Sequence, residues 1–311
     1  MKIIVTGAAG FLGSNLCNRL LSDGHTVTGI DNLLSGNSNN LEVANQSSNF
    51  RFMKMNVIHD FTNLPCDLIF HMACPASPPT YQADPISTTD TCYLGTKNAL
   101  ISGLKNKARV VIASTSEIYG DPLQHPQSES YLGNVNTTGP RSCYDEGKRI
   151  GESLAADFHR VHNVSIGIAR IFNTYGPNMS PTDGRVVTNF ITQALKGLPL
   201  TIYGDGSQTR SLCYVDDLIE GLVRLAFCDH HSPINLGNPC ELTILEIANK
   251  IISLTHSKSE LSFHGLPEDD PKQRCPDIEK AVKILGWRPH TGVDEGLANT
   301  IKYLQGARLL N

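Results

Sequence analysis

Tyr144 and Lys148 stand four residues apart in the run Tyr144-Asp145-Glu146-Gly147-Lys148. On a helix that spacing brings both side chains to one face. A lysine ammonium there lowers a phenol's pKa from about 10, so a phenolate base becomes available near neutrality. The same lysine can hold a ribose. Upstream, Ser114-Thr115-Ser116-Glu117-Ile118-Tyr119-Gly120 supplies hydroxyls. Thr115 or Ser116 is placed to bond the substrate oxygen that Tyr144 deprotonates, and Glu117 adds a carboxylate. Nearer the start, Gly7, Gly10 and Gly13 form G-x-x-G-x-x-G after an apolar strand and at the head of a helix. In that context Gly7 permits a tight turn, Gly10 lets backbone approach a pyrophosphate, and Gly13 allows close packing of helix on strand. Asp31 closes the next strand, where a carboxylate accepts from ribose hydroxyls and repels a 2′-phosphate. These residues predict a bound dinucleotide, NAD in preference to NADP.

The elements that must carry these groups alternate in type. Lys2–Thr6 reads as a strand, 11–22 as an amphipathic helix, and 26–30 as a second strand. Further strand signals fall at 50–55, 68–71, 110–113 and 164–169, with helical patterns at 86–104 and 144–162. Six or seven strands joined in this way predict an α/β fold, a Rossmann-type doubly wound parallel sheet. In such sheets catalytic groups gather at the carboxyl edge, where Thr115 and Ser116 fall. After Asn173 prolines and glycines break the alternation, leaving helical stretches at 186–196, 216–227, 244–254, 277–285 and 293–304. The expected organisation is residues 1–172 as the dinucleotide-binding domain and 173–311 mainly as a smaller C-terminal α/β substrate lobe. Some of the later segments should return to the main sheet.

Bulk composition limits the alternatives. The chain has 311 residues, 40% hydrophobic and 18% charged, with a formal net charge of −4. That length buries a full core, and that charge argues against a nucleic-acid partner. No apolar run approaches the roughly 18 residues needed to span a bilayer, so no membrane partner is expected. The nine cysteines contain no C-x-x-C and no metal-ligand spacing; the nearest two, Cys66 and Cys74, are eight apart. No metal is expected, and the thiols read as reduced in a cytoplasmic protein. The sequon Asn163-Val164-Ser165 is read as coincidental.

Together the glycine fingerprint, the Ser114–Pro122 run and Tyr144-x-x-x-Lys148 resemble extended short-chain dehydrogenases acting on nucleotide sugars. More narrowly, the chain is similar to the UDP-glucuronate decarboxylases, or UDP-xylose synthases. The similarity lies in HMACPASPP at 71–79, GPRSCYDEGKR at 139–149, ARIFNTYGP at 169–177, DGRVV from Asp183, YGDGSQTR at 203–210, and DDP at 269–271 followed by Arg274 and Pro276. The resemblance implies a redox-neutral cycle. Tyr144 removes the 4-hydroxyl proton as hydride passes to NAD+, the 4-ketone sits beta to the carboxylate, CO2 leaves, and returned hydride gives UDP-xylose. Two enzymatic alternatives are a UDP-sugar 4-epimerase and an oxidative decarboxylase releasing UDP-4-keto-pentose and NADH; a third is a non-catalytic NAD-sensing protein. Ser116 stands where related dehydratases carry aspartate, which disfavours dehydration.

The resemblance also implies roles for further residues. Glu117 assists the carboxylate-losing step. Phe11, Leu12, Asn32, Asn56, Val57 and Ala73 join the cofactor site. Arg185 and Arg210 meet the diphosphate, Arg274 faces the sugar carboxylate with Tyr81 opposite, and Asn173, Gln208 and Tyr203 line the nucleotide. His71 is read as structural. Cys92, Asn56, Asn178 and Asn37 depart from the residues usual in the family. A homodimer through 86–104 and 144–162 is expected.

Overall fold

The computed structural model describes residues 1–265 and 273–306. The 269–271 motif therefore lies outside the described residues. The strands are β1 Lys2–Thr6, β2 Thr26–Asp31, β3 Phe50–Lys54, β4 Leu68–His71, β5 Arg109–Thr115, β6 Ile166–Ile171, β7 Thr174–Tyr175, β8 Leu200–Tyr203, β9 Thr209–Ser211, β10 Cys213–Tyr214, β11 Pro233–Leu236, β12 Glu241–Thr243 and β13 Leu261–His264. The helices are α1 Phe11–Ser22, α2 Pro78–Ala83, α3 Pro85–Asp90, α4 Thr96–Asn106, α5 Ser142–His162, α6 Val186–Leu195, α7 Val215–Ala226, α8 Ile244–Thr255, α9 Glu279–Leu285 and α10 Val293–Gly306.

Seven strands form one parallel sheet in the order β11-β6-β5-β4-β1-β2-β3. Winding reverses between β1 and β4, and a crevice opens at their carboxyl ends, where open α/β sheets take ligands. Alternation along β1 explains why both faces are covered. Ile3 and Val5 pack in one cluster with Leu16 and Leu20 of α1 and Leu218 and Leu222 of α7. Ile4 faces the other way, with Ile69, Val110, Ile112, Leu100 of α4 and Ala155 of α5. Each such buried side chain contributes about 1.5–3 kcal/mol relative to exposure.

Two departures from the expected elements have local causes. The helix expected over 86–104 is divided by a π-helical turn, Thr91–Gly95, between α3 and α4. Gly95 is drawn so close to the sheet that a Cβ there would sit 2.8 Å from Val57 and 3.3 Å from His71. The extra residue of the turn brings Cys92 against α5. Beyond Asn173, β11 crosses back to the sheet edge beside β6, while β7–β10, β8–β13 and β9–β12 pair outside it.

His71 ends β4, buried, with its Nδ1 2.9 Å from the Thr6 hydroxyl. Burial, with the Lys148 charge adding, holds its pKa down at about 3. The unfolded chain binds a proton near pH ~6.5 that the folded chain refuses. This contribution to stability is therefore present above about pH 6.5 and lost as pH falls toward 3. Denaturant unfolding should lose about 1 kcal/mol between roughly pH 7 and pH 5.5 from this residue. A His71→Gln variant with an undiminished pH slope would contradict that.

Candidate active site

A cavity of about 950 Å³ runs along the carboxyl edge of the sheet. Its walls include the first glycine turn, the ends of β2, β4 and β5, the start of α5 and the segments after β6 and β8.

The glycine turn folds as its spacing demands. Gly7 takes φ +69°, and a Cβ on Gly13 would fall 2.0 Å from the Gly7 carbonyl oxygen. Helix α1 thus packs directly on the turn leaving β1. Among the described residues no side chain caps its N-terminus, and its first turn holds no acidic residue, so its end presents N–H groups and a positive dipole to the cavity. Asp31 lines the other side: Oδ2 accepts from Ala9 N at 3.0 Å and Oδ1 from Leu33 N at 2.7 Å. Burial raises its pKa while those N–H donors work against the rise. Phe11, Leu12, Asn32, Asn56, Val57 and Ala73 line this half of the cavity. The departures have structural partners: Asn56 Oδ1 accepts from Ile58 N, Asn37 caps a short 3-10 turn, and Asn178 Nδ2 donates to Ser14 Oγ. Together these features form a cradle that fits a dinucleotide diphosphate and ribose.

At the centre, α5 presents Tyr144 and Lys148 to the end of β5. Lys148 Nζ donates to Ala113 O at 2.8 Å and lies 5.7 Å from the Tyr144 ring centroid. Tyr144 stacks on Tyr81, with ring centroids 5.2 Å apart and planes 5° from parallel. The phenol departs from the expectation that Lys148 lowers its pKa. Burial pushes it well above the ordinary value, and Cys74 adds to the rise while the Thr115 hydroxyl opposes it. In the chain alone burial favours the protonated phenol, because the anion loses its hydration.

Glu117 follows β5 in a short 3-10 turn capped by the Thr115 hydroxyl. Its Oε2 accepts from Arg141 Nη2 at 2.7 Å and from Arg274 Nη2 at 2.8 Å. Burial alone would raise its pKa, but the Arg274 and Arg141 charges outweigh burial and hold it well below the ordinary carboxylate range. Arg274 is 2% exposed, bonds the Ser116 carbonyl as well, and does not line the cavity. The structure thus sets it behind Glu117, where the sequence reading put it at the substrate. Arg141 does line the cavity. Nothing in its spacing singled it out, since its partner lies 24 residues away.

The remaining candidates converge on the second half of the cavity. Thr115, Ser116, Tyr81, Asn173, Arg185, Tyr203, Gln208 and Arg210 all line it. Tyr81 Oη and Gln208 Oε1 are buried without a hydrogen-bond partner among the described residues, which marks them as groups awaiting a polar ligand. Arg185 is paired with Asp183, its Nη2 donating to Oδ2 at 2.8 Å.

Several further groups escaped the sequence reading. Cys74 Sγ lies 3.2 Å from Cys92 Sγ beside Tyr144; this contact draws the Cys74 pKa down and the Cys92 pKa up. Asp145 is buried, its Oδ1 without a hydrogen-bond partner among the described residues, and burial together with the Glu117 charge raises its pKa. Behind the site, Glu152 accepts Arg170 through both oxygens, at 3.0 and 2.8 Å, and also bonds Ser114. That buried network ties α5 to β5 and β6 and so sets Tyr144 against Thr115.

Residues 3–237 match the model of the NAD dependent epimerase/dehydratase family, and the chain belongs to that family. Within it, the chain is 49% identical over 302 residues to UDP-glucuronic acid decarboxylase 2 of Arabidopsis thaliana, covering 97% of this chain and 68% of the relative. It is equally 49% identical to UDP-glucuronic acid decarboxylase 1 of Danio rerio, covering 97% of this chain and 72% of the relative. Among solved structures it is similar to UDP-glucuronic acid 4-epimerase of Bacillus cereus, determined with UDP-glucuronic acid and NAD. That match has a TM-score of 0.88 and 29% identity, covering 98% of this chain and 99% of the other.

Proposed function

We propose that this chain decarboxylates UDP-glucuronate to UDP-xylose through a 4-keto intermediate, with NAD as a recycled cofactor. The observation that carries this reading is Glu117 clamped by Arg141 and Arg274, at 2.7 and 2.8 Å, beside Tyr144. Relatives named as decarboxylases, about half identical over nearly the whole chain, support it.

NAD in the glycine cradle supplies a hydride acceptor and later donor at carbon 4 of the sugar. The chain's residues do the rest. The α1 N-terminus holds the diphosphate, and Asp31 accepts from the adenosine ribose hydroxyls. Phe11, Leu12, Asn32, Asn56, Val57 and Ala73 complete the cofactor wall. Lys148 holds the nicotinamide ribose, and its charge, with that of the cofactor ring, counters the burial that keeps Tyr144 protonated. Tyr144 then takes the 4-hydroxyl proton, with Thr115 and Ser116 bonding the same oxygen. Once the ketone forms beta to the carboxylate, CO2 leaves and the electrons rest on the ketone oxygen as an enolate. Glu117, an anion beside the departing carboxylate, favours its loss as CO2; solvent then supplies the proton to carbon 5 of the enolate, and Tyr144 returns its proton to the 4-oxygen. Arg141, from the cavity wall, is the cation that meets the sugar carboxylate, while Arg274 positions Glu117. Arg185 and Arg210 take the diphosphate, and Gln208, Asn173 and Tyr203 take the uridine. In this division residues 1–172 bind the dinucleotide and 173–311 mainly the nucleotide sugar.

Two NAD-dependent alternatives keep the same site, a 4-epimerase and an oxidative decarboxylase. Incubation with UDP-glucuronate and NAD+, following CO2, nicotinamide absorbance and product, separates all three. UDP-xylose with no lasting NADH is the expected result. An epimerised hexuronate without CO2, or a ketone with stoichiometric NADH, would replace the proposal. The cofactor assignment has its own check. Asp31→Ala should narrow the preference for NAD over NADP by about tenfold or more, the worth of one lost charge-assisted contact of about 1.5–3 kcal/mol. Equal binding of the two dinucleotides by the unaltered chain would remove Asp31 as the selector.

No described helix is long and apolar enough to cross a membrane, and the net charge of −4 does not suit nucleic acid. We also place the protein in the cytoplasm, which suits its free thiols, and as a homodimer. Ile86, Leu94, Leu104, Ile150 and Val161 stand exposed along the stretch from α3 to α4 and on α5, the apolar surface that such a pairing would cover.

A further inference from the structure

We propose a second site, outside the cavity, that binds a zinc-class divalent cation through His125, Glu241 and Cys275. The three donors come from a loop, from the first residue of β12, and from the segment carrying Arg274. One imidazole nitrogen, one carboxylate oxygen and the Cys275 Sγ all lie within 4.8 Å of one another. His125 Nε2 and Glu241 Oε2 are 2.9 Å apart.

The surroundings hold these donors in place. Gln127 N donates to Cys275 O at 2.8 Å, and Cys275 N donates to Gln127 Oε1 at 2.9 Å. The segments bearing His125 and Cys275 are therefore stitched together two residues from the imidazole. Glu241 is aligned by the pairing of β12 with β9, and its other oxygen accepts from Thr209 Oγ1 at 2.6 Å. Cys275 is buried and His125 is exposed, so the thiol is sheltered while the imidazole faces water. The exposed imidazole gives an ion an entry path from solvent.

The donor chemistry selects the ion. A thiolate with an imidazole suits zinc and excludes magnesium and calcium, which take all-oxygen shells. Three protein ligands with one open position make a tetrahedral site at bond lengths of about 2.0–2.3 Å. Such bonds set donor separations of about 3.5 Å, so separations of up to 4.8 Å close by roughly 1.3 Å, while the 2.9 Å His125–Glu241 pair opens by roughly 0.6 Å. Bound there, the ion fastens the Arg274 segment to the loop and to β12. It thereby steadies the arginine that bonds Glu117.

Cobalt(II) titration of the whole protein, purified without a histidine tag, tests this directly. The expected result is one Co2+ per chain, with the near-ultraviolet band of a thiolate–cobalt bond and the visible bands of tetrahedral geometry, all displaced by Zn2+. Cys275→Ser should abolish the thiolate band, and His125→Ala should weaken binding by tenfold or more. Zn2+ should raise the thermal midpoint of the unaltered chain and leave that of His125→Ala unmoved. Absence of a thiolate band in the unaltered chain would overturn the site, as would an unchanged spectrum in either variant. Should Cys275→Ser fail to fold, the surface variant His125→Ala decides. None of these readouts depends on turnover, so failure here leaves the decarboxylase reading untouched.

Discussion

Tyr144→Phe should lower kcat for CO2 release from UDP-glucuronate by about 10²–10⁴-fold, the range for loss of a positioned general base. The phenyl ring retains the stack on Tyr81, so the cavity wall and the fold should survive. What disappears is the ionisable oxygen that meets the Thr115 hydroxyl. KM should change little, since the phenol's work is confined to the step in which the 4-hydroxyl loses its proton. Rapid mixing with NAD+ should show no transient nicotinamide reduction, because oxidation precedes every later step. A variant with kcat within threefold of the parent would end the assignment of Tyr144 as base and revive a non-catalytic reading.

Glu117→Gln should be nearly as damaging for a different reason. It removes an anion that two guanidiniums hold at 2.7 and 2.8 Å, without changing side-chain volume. Loss of one partner from a buried ion pair costs about 3–5 kcal/mol. Glu117 is 19% exposed and glutamine still accepts hydrogen bonds, so a thermal loss at the lower end is expected. In turnover the loss should reach about 10²-fold or more, comparable to removal of one preorganised electrostatic group. KM for UDP-glucuronate should not rise, because Arg141 remains in the cavity to meet the sugar carboxylate. Transient nicotinamide reduction should persist while CO2 release fails, which separates this variant from Tyr144→Phe. Glu117 is held below the ordinary carboxylate range, so its ionised form is present above that lowered pKa and lost only in strong acid. An acidic limb of activity near pH ~6 would therefore belong to another group. Full decarboxylation by Glu117→Gln would remove the observation on which the proposed function rests.

The parts of this molecule legible in the sequence share one property: their partners are near in the chain. Gly7 to Gly13 and Tyr144 to Lys148 interact across one turn or two, where spacing dictates geometry. The strands of the main sheet were readable as short apolar runs because both faces are buried, and Asp31 was readable as the end of such a run. By contrast, the clamp on Glu117 joins residues 117, 141 and 274, and the thiol contact joins Cys74 to Cys92. No period or motif spans those separations. The π-turn at Thr91–Gly95 was hidden for a related reason. Its cause is the close approach of Gly95 to Val57 and His71, a packing event that leaves no trace in local propensity.

The same division explains the corrections. Sequence spacing put Tyr144 and Lys148 on one face, where the ammonium lies 5.7 Å from the ring centroid, but could not register the burial that raises the phenol's pKa. A motif placed Arg274 near the substrate, yet its depth is a property of three-dimensional layering. Sequence spacing could not bring His125, Glu241 and Cys275 together, because they meet only in the tertiary structure. Local order along the chain determined the family of fold, the dinucleotide cradle and the catalytic pair. Tertiary structure alone decided which charges are buried together, and burial is what turns a carboxylate, a phenol or a thiol into a group with a particular chemistry.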